Sequence, residues 1–127
     1  LSLHDALPIY VAGKASVNDT FDRYMSTKYN LRESTRSSYF YTYDHYVRDT
    51  FGNKRIAEIK YSDVLQFYYY LLNEVKISLG TLDTVHCLLH PTFQLAVRDE
   101  IIRNYLIFLA IIWDILFVHD FVKIKQI

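Results

Sequence analysis

The sequence predicts an all-α fold, a four-helix bundle followed by an additional apolar C-terminal segment. Three observations support this prediction. Hydrophobic residues make up 51% of the 127 positions, glycine and proline together account for only five, and apolar side chains recur at helical spacing. A chain of this length is large enough for one domain with a single core.

Capping residues and apolar positions define the first two helices. Ser16 begins the first helix with a capping box, and the helix continues to about Lys28. Ser34 is the predicted N-cap of the second helix, which runs to Phe51 and stops at Gly52. The positions assigned to the core are Val17, Phe21 and Tyr24 in the first helix, and Tyr39, Tyr43, Tyr46, Val47 and Thr50 in the second.

The third helix follows a short connection that Ile56 and Ile59 anchor to the core. Ser62 is its predicted N-cap. Six positions follow the helical period and are expected to face the core: Val64, Leu65, Tyr68, Leu71, Leu72 and Val75.

The fourth helix is the longest periodic segment. Ser78 caps it, and it is predicted to run from Leu79 to about Ile102. Because an interior proline removes a backbone donor and clashes with the preceding turn, we expect a kink near Pro91. Its core-facing stripe comprises Leu82, Val85, Leu89, Phe93 and Ala96, with Val97 at the edge.

The two ends of the chain differ from its middle. Residues 1–13 show no period and no secretory pattern, and are interpreted as an irregular segment foreign to the domain at residues 14–104. Residues 105–127 form an apolar tail that Asp114, His119 and Asp120 interrupt, so a membrane span is not expected. The tail is interpreted as a buried or partner-covered helix, or as a segment produced by a frameshift.

No catalytic or metal-binding pattern is found in the sequence. His86 and His90 are one turn apart, but Cys87 points elsewhere and no third ligand follows, so no metal or other cofactor is expected. Cys87 also lacks an outward-facing histidine to activate it as a nucleophile. As the single cysteine, it favours a reducing, cytoplasmic location. The chain is therefore predicted not to be an enzyme.

The formal charge of the whole chain is zero, which gives no general argument for a polyanionic partner. The charge is unevenly distributed, however. Between Arg23 and Lys60 there are eight basic and four acidic residues, a local excess of four positive charges.

Four segments, taken in order, resemble the N-terminal core-binding (SAM-like) domain of phage- and transposon-type tyrosine recombinases, the integrases. They are TFDRYMSTK at residues 20–28, ESTRSSY at 33–39, DTFGNKRIAEIKYSDV at 49–64 and SLGTLDTVHCLLHPTFQLAVRDEIIRN at 78–104. The resemblance covers about 90 residues and includes the family's spacing between helices.

The resemblance implies that full-length relatives cut and rejoin DNA through a phosphotyrosine intermediate without a metal. In the family, a proline and a linker to the catalytic domain follow the position of Asn104, whereas Tyr105 follows here. The catalytic Arg, Lys, His and Tyr have no counterparts, so no residue of this chain is expected to be catalytic. A frameshift or truncation after Asn104 would explain the difference.

The resemblance also implies that the second and fourth helices face the major groove of double-stranded DNA. Outward hydroxyls suit phosphates, while arginine and glutamine suit phosphates or base edges. The candidate DNA-binding residues are Arg36, Ser37, Ser38, Tyr41 and Arg48, beside His45, on the second helix, and Thr81, Thr84, Cys87, Gln94 and Arg98 on the fourth. We expect weak binding whose log K falls with log salt at a slope of about −4.

A competing hypothesis is a small helical protein–protein interaction module. Its partner would cover residues 105–113 together with Leu88 and Leu95, both expected to be exposed. Other recombinase protomers are further partners that the resemblance implies, and no membrane partner is expected because the tail lacks a basic polar face.

Overall fold

The computed structural model describes residues 14–99, and these form the predicted all-α fold. The four helices are α1 (Val17–Ser26), α2 (Glu33–Tyr46), α3 (Tyr61–Tyr70) and α4 (Leu79–Arg98). Two 3-10 turns, Phe51–Asn53 and Ile56–Glu58, connect α2 to α3, and a π-helical turn, Leu71–Val75, extends α3. The predicted irregular segment and apolar tail lie outside the described residues, as does the predicted helix end at Ile102. Among residues 14–99, no helix has both the length and the apolar character needed to cross a membrane.

α4 lies at the centre of the core and contacts α1, α2 and the π-helical turn. The whole predicted stripe of α4 is buried, from Leu82 to Ala96, and Val97 is half-buried, as expected. Because α4 has neighbours on several sides, its buried surface is wider than the stripe and includes Leu88 and Thr92. The expectation that Leu88 is exposed is therefore wrong, since only 3% of it is accessible.

α1 begins as the sequence predicts. The Ser16 hydroxyl accepts the backbone N–H of Asp19 at 3.0 Å, and the Asp19 carboxylate accepts the N–H of Ser16 at 3.0 Å. The helix ends at Ser26, two residues earlier than expected. Tyr24, which was assigned to the core, is only half-buried, and the neighbouring Met25 is buried instead.

α2 begins and ends earlier than predicted. Its N-cap is Arg32 instead of Ser34, and it ends at Tyr46 instead of Phe51. Thr50 therefore lies beyond the helix and is exposed, so its assignment to the core was wrong. Tyr43 is fully buried, whereas Tyr39 and Tyr46 pack at the edge of the core.

The connection after α2 pairs with the residues that precede α1. The N–H of Val17 donates to the carbonyl of Lys54, and the N–H of Ile56 donates to the carbonyl of Ala15, both at 3.0 Å. Ile56 and Ile59 are buried, as predicted. This short antiparallel contact fixes the start of α1 against the connection between α2 and α3.

The N-cap prediction for α3 was also wrong. Lys60 occupies the cap position, where its backbone N–H donates to the Asp63 carboxylate at 2.8 Å, and Ser62 lies inside the helix. The Asp63 carboxylate in the first turn thus accepts the backbone N–H of the cap residue, as the third helical residue does in a capping box.

The core-facing side of α3 matches the prediction at its centre and departs from it at its end. Val64, Tyr68, Leu71 and Leu72 are buried, and Phe67 joins them, while Leu65 is half-buried. Val75 is 41% exposed and does not face the core. The π-helical turn changes the rotation per residue, so positions counted at an α-helical period no longer point inward.

Gly52 is required for close packing at the turn after α2. A Cβ atom there would lie 1.9 Å from Asn18 Oδ1 and 2.9 Å from the carbonyl oxygen of Val47. The Asn18 amide is held in place, since it accepts the Tyr43 hydroxyl at 2.7 Å and donates to the Arg48 carbonyl at 3.0 Å. Neither neighbour can withdraw without breaking a hydrogen bond.

Gly52→Ala should lower the free energy of unfolding by about 1–3 kcal/mol through overpacking. Gly80→Ala is the matched control, because its nearest contact for a Cβ is an ordinary 3.9 Å, and it should stabilise by up to about 1 kcal/mol through helix propensity. Urea unfolding measures both variants. Equal stability of the two would contradict the packing argument.

Candidate nucleic-acid interface

Arg48, a predicted DNA-binding residue, is held between helices. Its guanidinium donates to both carboxylate oxygens of Asp22 at 3.0 Å and to Asp44 at 2.9 Å. Burial alone would lower the pKa of Arg48, but the hydrogen bonds to the two carboxylates raise it. Two acidic groups therefore compensate its charge, which leaves little of it for a phosphate.

Arg36, another predicted DNA-binding residue, caps the C-terminal end of α1. Its guanidinium donates to the carbonyl of Met25 at 3.3 Å and to the carbonyl of Lys28. These carbonyls carry the negative end of the α1 dipole, and an arginine there stabilises it. Arg36 thus orients α2 against α1.

The other candidates on α2 lie on its exposed side. Ser37, Ser38 and Tyr41 are exposed, and Tyr41 is 68% accessible. The Tyr41 ring stacks on His45 one turn later, with 5.6 Å between centroids and 7° between planes. We call these four residues the α2 face.

The candidates on α4 follow one side of the helix. Thr84, Cys87, Gln94 and Arg98 share a stripe with Pro91, and all five are exposed or half-buried. We call this stripe the α4 face. α2 packs against α4 in the structure.

The hydroxyl groups on α4 already have partners. Thr84 donates to the Gly80 carbonyl at 3.0 Å, and the hydroxyl of Thr81, which is half-buried, lies 2.9 Å from that of Ser78. Ser78 also caps α4 as predicted, by accepting the N–H of Thr81. In this arrangement, a phosphate near Thr84 has to displace an internal hydrogen bond.

Cys87 lies on the α4 face as an exposed thiol. Partial burial of its sulfur and the nearby Asp83 carboxylate both raise the pKa of this thiol. It is therefore protonated at neutral pH and serves as a neutral surface group.

A groove lies between the C-terminal end of α1 and the C-terminal half of α4. Its volume is about 230 Å³, and it is lined by Tyr24, Thr27, Lys28, Pro91, Gln94, Leu95 and Arg98. Gln94 and Arg98 were predicted to contact DNA, whereas Lys28 was not. Helical periodicity gives no signal for Lys28, because it lies just beyond the end of α1.

Lys28 and Arg98, which line this groove, supply part of the available positive charge. Among residues 14–99, Arg23 pairs with Asp99 at 2.9 Å and Arg55 pairs with Glu58 at 3.7 Å. Within the same described segment, the structure shows no ion pair for Lys28, Arg32 or Arg98. Arg48, just beyond the end of α2, is thus compensated by two carboxylates, whereas Lys28 and Arg98 beside the groove keep their charge available.

His86 and His90 lie on the inner side of α4. The Tyr68 hydroxyl is 2.7 Å from His86 Nδ1, and the two imidazole rings are 6.1 Å apart. Burial, and then His90, lower the pKa of His86 to about 4, and burial lowers that of His90. In the part of the chain that the structure describes, no three His, Cys, Asp or Glu side chains are grouped to hold a metal.

Comparison with protein families gives a match to the N-terminal SAM-like domain of phage integrases over residues 18–103. A match to a catalytic domain was not found. Neither a curated protein nor a solved structure matched the chain significantly.

Stability should fall as the pH is lowered through the range set by His86. Unfolded histidine titrates near pH 6.5, whereas folded His86 titrates near 4, so between these values the unfolded state binds more protons. The contribution of His86 is complete above about pH 6.5, and up to about 3 kcal/mol is lost as the pH approaches 4.

His86→Asn should flatten this part of the pH profile, measured by urea unfolding from pH 7 to 4.5. Asparagine places a polar atom near the former Nδ1 position and retains a partner for Tyr68. His45→Asn, at an exposed site, controls for removal of an imidazole. A profile as steep in His86→Asn as in the parent chain would contradict the assignment.

Proposed function

Because the chain belongs to the family of phage integrase N-terminal SAM-like domains, we propose that it is the DNA-holding domain of a tyrosine recombinase. It binds duplex DNA during integration or excision of a mobile element, and cleavage belongs to a separate catalytic domain. Duplex DNA and a free thiol at Cys87 both fit the cytoplasm.

The observation that carries this proposal is the outward stripe of α4. On a helix whose other sides are largely buried, the α4 face keeps an amide and a guanidinium, Gln94 and Arg98, at the surface. These are the side-chain types that read base edges or bind phosphates. The α2 face adds small hydroxyls and a stacked aromatic pair on a helix that packs against α4.

Within this proposal, seven of the ten predicted residues take one of two roles. Gln94, Arg98, Ser37, Ser38 and Tyr41 contact DNA directly. Arg36 and Arg48 are positioning residues, since their guanidinium groups bind carbonyls of α1 and carboxylates of α1 and α2. Substituting either arginine therefore affects DNA binding through the placement of the helices.

The salt dependence of binding should be weaker than the sequence alone indicates. If the contacted phosphates are neutralised mainly by Lys28, Arg32 and Arg98, about three counterions are released and log K should fall with log salt at a slope of about −3. Fluorescence anisotropy with a labelled duplex, titrated between 25 and 200 mM KCl, measures the slope. Absence of binding at 25 mM would rule out duplex binding by this chain.

Ser37→Glu with Ser38→Glu should weaken duplex binding about tenfold at low salt, because two carboxylates then face the phosphates. Ser62→Glu with Gln66→Glu is the matched control: both residues are exposed on α3, and the change in net charge is the same. The control should bind with an affinity close to that of the parent chain. An equal loss in both double variants would show that net charge, and not the α2 face, controls binding.

A further inference from the structure

The groove between α1 and α4 is lined by residues that carry hydrogen-bond donors. Its lining includes Lys28, Gln94 and Arg98, and among residues 14–99 no aspartate or glutamate lines it. The Thr27 hydroxyl donates to the Tyr24 carbonyl at 2.6 Å, so its oxygen is left as an acceptor. Two cations and a neutral donor without an acid form an electrostatic environment for an anion.

Within residues 14–99, the contacts around the groove leave these cations without an acidic partner. Asp99 follows Arg98 in the sequence, but its carboxylate pairs with Arg23 at 2.9 Å. Arg36 binds the carbonyls of Met25 and Lys28, and so offsets the negative end of the α1 dipole that would otherwise repel an anion. Both arrangements favour negative charge in the groove.

Part of the groove lining is apolar, which strengthens the electrostatic interactions there. Tyr24, Pro91 and Leu95 line it, and the Lys28 ammonium lies 5.3 Å from the centroid of the Tyr24 ring. The aromatic face restrains the ammonium at the rim. Low-polarity walls reduce solvent screening of a bound ion.

The size of the groove selects among anions. At about 230 Å³ it is smaller than the roughly 300–1,000 Å³ typical of sites for drug-sized ligands, which disfavours a whole nucleotide. A single phosphate group fits the donor set, since arginine and lysine are the usual phosphate ligands.

We propose that this groove is a phosphate-binding subsite in which Lys28, Gln94 and Arg98 bind the oxygens of one phosphate group. This proposal rests on the proposed function, because the physiological source of the phosphate group is a phosphodiester of the bound duplex. The subsite would extend the DNA contact from the α4 face to the end of α1.

Isotope-edited NMR of the whole chain, titrated with inorganic phosphate at constant ionic strength, tests the subsite directly. Saturable shifts are expected at Lys28, Gln94 and Arg98, and chloride alone should not produce them. Lys28→Gln with Arg98→Gln should abolish the shifts. Lys54→Gln with Lys60→Gln, at two exposed lysines that do not line the groove, removes the same charge and should leave them unchanged.

Absence of saturable shifts in the parent chain overturns the subsite, as does their persistence in Lys28→Gln with Arg98→Gln. Thermal unfolding of each double variant establishes that it is folded. This readout does not depend on DNA binding, so failure of the proposed function at low salt and failure of the subsite are separate results.

Duplex titrations identify the source of the phosphate. If it is the DNA backbone, Lys28→Gln with Arg98→Gln should lower affinity about tenfold and reduce the salt slope by roughly 1–2. An unchanged slope, together with phosphate shifts in the parent chain, would assign the groove to free phosphate and overturn the assignment to DNA.

Discussion

The stacking of Arg48 on Tyr43, and of Tyr43 on Phe21, is the interaction on which the arrangement of α1 and α2 depends. The two aromatic rings are parallel with 3.7 Å between centroids, and the guanidinium carbon lies 4.8 Å from the Tyr43 centroid. The Tyr43 hydroxyl donates to Asn18, whose amide in turn donates to the Arg48 carbonyl. A single buried tyrosine thereby connects both helices and the turn that follows them.

This use of arginine for structure also determines where charge is available. Arg48 has a raised pKa and two carboxylate partners, and Arg36 stabilises the end of α1, so neither presents a free cation on α2. α1 and α2 both pack against α4, and the groove that Lys28 and Arg98 line lies between α1 and α4. Among the basic residues, Arg36 and Arg48 thus hold the helices together, whereas Lys28 and Arg98 are available to an anion.

The fold could be predicted where the sequence has a long apolar repeat or where a residue's partner is close in the sequence. The twenty residues of α4 give several turns of apolar repeat, and the Ser16 and Ser78 caps need partners only three residues away. Prediction failed where tertiary contacts replaced local ones. α2 ends at Tyr46, before a turn in which Gly52 lies close to Asn18 of α1, and Val75 is exposed because a π-helical turn interrupts the α-helical period.

In the candidate site, too, local patterns could be predicted and tertiary contacts could not. Periodicity identifies which side of a helix faces outward, so Tyr41, Thr84 and Arg98 were correctly placed at the surface. It cannot reveal that Arg48 pairs with an aspartate 26 residues earlier, since that contact exists only once two helices have packed. The groove brings together residues more than 60 positions apart, and no spacing rule connects them. In a small bundle with almost no net charge, the local environment of each basic residue, more than the number of such residues, therefore determines which surface is suited to a polyanion.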